Sequence, residues 1–331
     1  MKIINQGFDH VEFAVKDIAH HAQMYQRMGF EMIGQRRSLK RGTRSEVWAQ
    51  GFVRIMLTEA LAGSSQAAQQ EPMKFLSRHG DGICVLALEV EDAREFFKQT
   101  VARGARPALE PQVFESSEGQ VVRAEIWTPE DIRYAFIQRK APGGLKSKAL
   151  LDEDLVVDRL ESPSPLGIRL IDHLTNNVSI GEMPKWVDWY KKVFEFTVTR
   201  HFNITTGRTG LNSDVVQSPD HKIKVPVNEA TEPQSQVQEF VDRFKGAGVQ
   251  HLALLTTDLI STLKQLKKKD FKFLTVPSTY YEMVPKRVKN FTENLKELEQ
   301  LQILLDGEGE GYLLQIFSEE LVGPFFFEYI Q

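Results

Sequence analysis

The stretch GPFFFEYIQ, residues 323–331, sets one carboxylate, Glu328, inside a run of aromatic and aliphatic residues. Runs of that composition form buried strands, and a carboxylate buried alone is costly unless it is paired or holds a cation. Two histidines stand in similar strand-like settings, His173 in LIDHLTNNV and His251 in GVQHLALLT. Two neutral imidazoles and one carboxylate on one face form the ligand set that leaves positions open on Fe(II). An oxygenase needs such positions for a chelating substrate and for O2. The residual positive charge of that ferrous site favours an anionic α-keto acid. Each residue also has a plainer reading: a lone strand histidine packs in a core or lies on the surface, and Glu328 faces water or an arginine.

Internal repetition is what joins the three. GFDHVEFAV, residues 7–15, aligns with LIDHLTNNV, residues 170–178, so that Asp9-His10 corresponds to Asp172-His173. A helical pattern follows each, and Tyr25 corresponds to Tyr190. A second pair starts at Gly80 and Gly246. There Gly82, Leu86, Ala87 and Leu88 match Gly248, Leu252, Ala253 and Leu254, and each copy reads as strand, turn at Asp, amphipathic helix. In a third pair, RYAFIQR resembles FFEYIQ and puts Ala135 in the place of Glu328. The first half therefore has His10, Val85 and Ala135 where the second has His173, His251 and Glu328. That is the pattern of a duplicated metal site kept in one copy. Because the ligands come from three separate strands, no compact metal motif exists to be found.

The elements that must position these residues form an α+β fold. The chain reads as two tandem units, each made of two βαβββ-like modules, roughly 7–60, 80–140, 168–230 and 248–331. The domains are 1–145, without an intact metal site, a linker at 146–166, and 167–331 with the ligands. Gly, Pro, Ser and charge over 140–166 mark the connection, with a short helix expected at 150–160. Residues 60–72 read as a surface loop. His20, His21, His79, His201 and His221 read as surface residues, as do the basic clusters Arg36-Arg37 and Lys267-Lys268-Lys269.

Composition excludes several classes. The 331 residues carry a net charge of −4, which is not the concentrated basic surface of a nucleic-acid binder. No apolar run reaches the length of a membrane span, and the start MKIINQGFDH lacks the apolar core of a signal peptide. The single cysteine, Cys84, allows no internal disulfide, which favours a reducing compartment. These features predict a cytoplasmic protein without nucleic-acid or membrane partners.

Together IDHLTNNV, GVQHLALLTTDL, PSTYYEMV, GYLLQIFSE and GPFFFEYIQ resemble the 4-hydroxyphenylpyruvate dioxygenase family, the two-domain branch of the vicinal oxygen chelate superfamily. The match covers most of 168–331 and is weaker in the first half. The resemblance implies two tandem vicinal-oxygen-chelate domains, each an open barrel-like sheet with outer helices. It implies conversion of 4-hydroxyphenylpyruvate and O2 to homogentisate and CO2 with Fe(II), a step of tyrosine catabolism. It places the iron on His173, His251 and Glu328. Ser213, Asn228, Gln236, Gln250 and Gln315 would hold the substrate or orient the site, and Phe317 and Phe326 would pack against its ring. Strand parity agrees in part, since Phe326 shares a face with Glu328, and Gln315 with Phe317. For both phenylalanines ordinary core packing is the plainer alternative. The resemblance also implies a homo-oligomer, dimer or tetramer, and a covering helix after the terminal strand, past Gln331. Two alternatives stay open: 4-hydroxymandelate synthase, which shares substrate and metal, and a non-catalytic ligand-binding protein of the same superfamily. Pro226-Val227-Asn228 and Phe317 follow the dioxygenase pattern. Extradiol catechol dioxygenases share the module but fit the LLQIF and FFFEYIQ segments less well.

Overall fold

The computed structural model describes residues 2–64, 66–206, 209–308 and 311–331. Its first half begins with β1 (Ile3–Ala14), α1 (Ile18–Arg27), β2 (Glu31–Ser38), β3 (Thr43–Gln50) and β4 (Val53–Ala60). The helix α2 (Gln66–His79) leads to β5 (Gly82–Val90), α3 (Ala93–Ala102), β6 (Arg106–Ser116), β7 (Gly119–Trp127) and β8 (Arg133–Lys140). A small hairpin, β9 (Ala149–Asp152) and β10 (Leu155–Val157), connects to the second half. There β11 (Ile168–Val178), α4 (Met183–Phe194), β12 (Thr197–Thr206), β13 (Thr209–Gln217) and β14 (Lys224–Ala230) repeat the opening pattern. Then come α5 (Gln236–Phe244), β15 (Gly248–Thr256), α6 (Leu259–Lys268), α7 (Ser278–Arg287), α8 (Leu295–Leu301), β16 (Leu304–Glu308), β17 (Gly311–Phe317) and β18 (Phe326–Ile330).

Both halves fold into an eight-stranded sheet with the same order, β2-β3-β4-β1-β5-β8-β7-β6 and β12-β13-β14-β11-β15-β18-β17-β16. In each, the central antiparallel pair, β1 with β5 and β11 with β15, is flanked by parallel partners. Two βαβββ modules thus join through their first strands into one curled half-barrel. This is the tandem vicinal-oxygen-chelate architecture that the repeats and the resemblance predict.

Local chemistry accounts for the repeat. Asp92 and Asp258 cap α3 and α6 by accepting from backbone N–H groups of the first turn, the favoured N-cap arrangement. Gly82 and Gly248 are matched for a steric reason. The Phe244 ring lies against both, and a methyl on either glycine would stand 2.7 or 2.4 Å from it. The halves share one apolar core, in which Phe13 meets Phe325 edge-on at 4.9 Å and the Tyr134 and Tyr190 hydroxyls lie 3.1 Å apart.

Four expectations are corrected. Residues 149–157 form the β9–β10 hairpin, not the helix expected at 150–160. Glu153 turns at φ 31°, the β-branched Val156-Val157 pair suits a strand, and buried Asp152 is held by Arg36 at 3.1 Å and Arg123 at 3.3 Å. Residues 66–72 belong to α2 and not to a loop. The Ala- and Gln-rich segment has good helix propensity, and Pro72 sits inside the helix. Arg36 is buried by its bond to Asp152, while Arg37 beside it is exposed. His21 and His79 are buried as well, His21 against Asp81 at 2.9 Å and His79 stacked on Phe244. Among the described residues no helix is long and apolar enough to cross a membrane.

Candidate metal centre

Strand register brings the three candidate ligands together. His173 on β11 and Glu328 on β18 both pair with Ala253 on β15, and His251 lies two residues before Ala253 on the same face. Ala253 has no side chain beyond its methyl, so the imidazole and the carboxylate meet above it. Nε2 of His173 stands 3.0 Å from Oε2 of Glu328, and Nε2 of His251 stands 3.5 Å from the same oxygen. The ligand atoms of all three lie within 4.8 Å of one another, the one such convergence of His, Cys, Asp or Glu among the described residues. Adjacent ligands at right angles around an ion with bonds of about 2.1 Å stand about 3 Å apart, so the spacing suits one face of an octahedron. The donor set is a two-histidine, one-carboxylate facial triad, the set that binds Fe(II) with positions left open.

Neighbouring groups aim the imidazoles. Nδ1 of His173 donates to Asp172 at 3.0 Å, and Lys224 donates to the other Asp172 oxygen at 2.8 Å. Nδ1 of His251 lies 3.3 Å from Oε1 of Gln250. Both contacts leave Nε2 as the inward-facing nitrogen, the outer support that metal-bound histidines need.

The charges within the triad are uneven. Burial opposes a charge on His173, but the Glu328 carboxylate and Asp172 outweigh it and raise its pKa to about 9. Burial also works against the charge on Glu328, yet the two imidazoles hold its pKa down at about 2. His251 goes the other way, because burial outweighs its contact with Glu328 and lowers its pKa.

Aromatic rings wall one side. Phe326 stacks on His251 at 4.9 Å, and Phe317 approaches His251 at 6.0 Å and Phe326 at 5.9 Å, both edge-on. A polar row runs across the neighbouring strands, where Ser213 pairs with Asn228 and Asn228 with Asn177. Ser213 and Asn177 are buried, and among the described residues Oδ1 of Asn228 and both amide atoms of Asn177 have no hydrogen-bond partner. Gln315 shares the face of Phe317, and its amide donates to Asp306 at 2.8 Å. Gln236 starts α5, is exposed, and makes no hydrogen bond to the triad among the described residues. Asp172, Lys224 and Asn177 are the contributors that the sequence reading passed over. Parity alone flags Asn177, which lies four residues after His173 on the same strand.

Comparisons with known proteins agree with this architecture. Residues 2–121 match the family described as hydroxyphenylpyruvate dioxygenase, N-terminal. Residues 170–283 match the glyoxalase/bleomycin resistance protein/dioxygenase superfamily. The 4-hydroxyphenylpyruvate dioxygenase of Legionella pneumophila is 33% identical, over 98% of this chain and 88% of that protein. The enzyme of the same name from Pseudomonas aeruginosa is 32% identical, over 98% of this chain and 87% of that protein. Among solved structures, a triple mutant of 4-hydroxymandelate synthase from Streptomyces coelicolor superposes with a TM-score of 0.84 at 24% identity, covering 98% of this chain and 92% of that one. At that identity the likeness concerns the fold.

Proposed function

This chain belongs to the 4-hydroxyphenylpyruvate dioxygenase family of the vicinal oxygen chelate superfamily, and from that premise we propose that it converts 4-hydroxyphenylpyruvate and O2 to homogentisate and CO2. The observation that carries the reading is the His173–His251–Glu328 triad beside an aromatic wall and a polar row whose Asn177 and Asn228 keep amide atoms without partners among the described residues. In this reading residues 167–331 are the catalytic domain and 1–145 the domain without a metal site. Fe(II) bound by the triad supplies the activation of O2, and the α-keto acid of the substrate provides a chelating head. Phe317 and Phe326 pack against the aromatic ring, an apolar surface with a few placed polar groups being the usual form of such a pocket. Asn228 and Ser213 offer hydrogen bonds at the far end of the ring, Gln315 fixes it laterally, and Gln250 keeps His251 oriented. Gln236 joins them only if the first turn of α5 moves inward, because it is exposed here.

The test is aerobic incubation of the protein with Fe(II) and 4-hydroxyphenylpyruvate, following CO2 and the aromatic product. Homogentisate is expected. 4-Hydroxymandelate would transfer the chain to the benzylic reaction, and ligand binding without turnover would make it a binding protein. Glu328→Ala should abolish both products while the circular dichroism spectrum stays unchanged.

A further inference from the structure

The first half keeps the frame of the metal centre and changes its chemistry. Register puts His10 and Ala135 on either side of Ala87, as His173 and Glu328 flank Ala253. By the same registers Val85 replaces His251 and Arg133 replaces Phe326. Arg123 and Glu125 on β7 stand where β17 carries Gln315 and Phe317. Ser45 and Thr58 stand where Ser213 and Asn228 form the polar row. Two of the three metal ligands are gone, only His10 remaining, and charges occupy the positions around them.

A cavity of about 270 Å³ opens in this half-barrel, not over the triad. Its lining carries five positive side chains, four of them arginines, against three carboxylates. Each carboxylate already has a partner. Glu125 accepts from Arg123 at 2.7 Å and from Arg133 at 2.9 Å, Glu12 accepts from Thr58 at 2.7 Å, and Asp131 is paired with Arg78 and His79. Donors are left over. Among the described residues, Nη1 of Arg123 lies 3.3 Å from Asp152 but makes no aligned hydrogen bond, and the Thr43 hydroxyl has no partner, although both residues are more than nine-tenths buried. Arg133 makes one hydrogen bond among the described residues, and its guanidinium lies 5.6 Å from the Trp127 ring centre. Oδ1 of Asp152 also has no hydrogen-bond partner among the described residues, but it belongs to a residue outside the cavity lining. Unpaired buried donors are costly, and guanidinium forks are suited to a carboxylate. The rest of the wall is apolar, with Ala14, Phe75, Cys84 and Trp127.

We propose that the first half-barrel is a second ligand site that takes a small organic carboxylate, its anionic head on Arg123 and Arg133 and its apolar body against Phe75 and Trp127. The cavity has room for a ligand of about a dozen non-hydrogen atoms, below the size of typical cofactor pockets. The proposal stands on the first half alone and is independent of the activity assigned to the triad.

The experiment uses the full chain with Glu328→Ala, freed of metal by chelation, and 3-phenylpropionate as probe in isothermal titration calorimetry. One molecule per chain should bind with a submillimolar dissociation constant. Arg133→Gln should weaken binding by about tenfold or more, as loss of a charge-assisted bond does. Trp127→Leu should weaken it as well, with circular dichroism unchanged in both. Arg133 is partly exposed and leaves Glu125 still paired with Arg123, so its loss spares the buried network. The proposal is overturned if the probe fails to bind at millimolar concentration. Binding that survives both cavity substitutions but is lost in Phe326→Ala overturns it too, because the probe would then lie at the metal centre.

Discussion

His173 and His251 carry the same ring and opposite tendencies to hold a proton, raised to about 9 in one and lowered in the other. Metal needs neutral imidazole, so in the metal-free chain at neutral pH the proton on His173 competes with iron. Iron affinity should therefore rise about tenfold per pH unit up to about pH 9, with one proton released per ion bound. Titration calorimetry in buffers of different ionisation enthalpy reads that proton directly. Folding runs in the opposite sense. A histidine whose pKa is raised from 6.5 to about 9 contributes its full stability below pH 6.5 and loses it as pH rises through 9. Melting of the metal-free protein should fall across that window, and Glu328→Gln should flatten the fall. Glu328 and Asp172, held at about 2, add stability above the ordinary carboxylate range and lose it only as pH falls toward 2. Asp172→Ala removes the acceptor on Nδ1 and should cost about 10–100-fold in iron affinity, read by anaerobic Fe(II) titration.

At the scale of elements, the triad depends on β15 offering a methyl between two ligands. His173 and Glu328 are on strands two apart and meet only because Ala253 fills so little of the space between them. Ala253→Leu should place a branched side chain in that gap and abolish iron binding, while β15, buried between its neighbours, stays in register. Fe(II) titration with circular dichroism separates the two effects, and retained iron affinity would remove this account of the site. Much of this was legible in the sequence, because a strand pairing that is reused leaves matched residues. The Asp turns, Gly82 with Gly248, and the slots of Val85 and Ala135 all fall where the repeat predicts. The hairpin at 149–157 and the burial of Arg36 were not legible. Each depends on Asp152 meeting arginines more than a hundred residues earlier or on a distant strand, and local pattern does not encode such a meeting. The exposed position of Gln236 was hidden for a related reason, since a helix N-terminus faces water or the pocket according to its packing alone.

At the scale of the molecule, the first half supports the strand that carries Glu328. Phe13 and Phe325 are both almost wholly buried and meet edge-on, three residues before that carboxylate. Phe13→Ala should destabilise the protein by about 3–5 kcal/mol. Because the core runs through both halves, calorimetry should show a single unfolding transition shifted down as a whole. Two transitions, with only the first shifted, would mean that the halves melt independently.

The spacing of the ligands also sets when the site comes into being. His173 and His251 lie 78 residues apart, and His251 and Glu328 another 77. No fragment that brings only neighbouring residues together contains a binding site, and contacts of such long range are slow to form. The unfolded chain therefore offers iron no preformed triad, and the ion is a poor folding nucleus. It arrives as a clasp on a finished structure, and its preference for that structure appears as resistance to unfolding, growing with the concentration of the free ion.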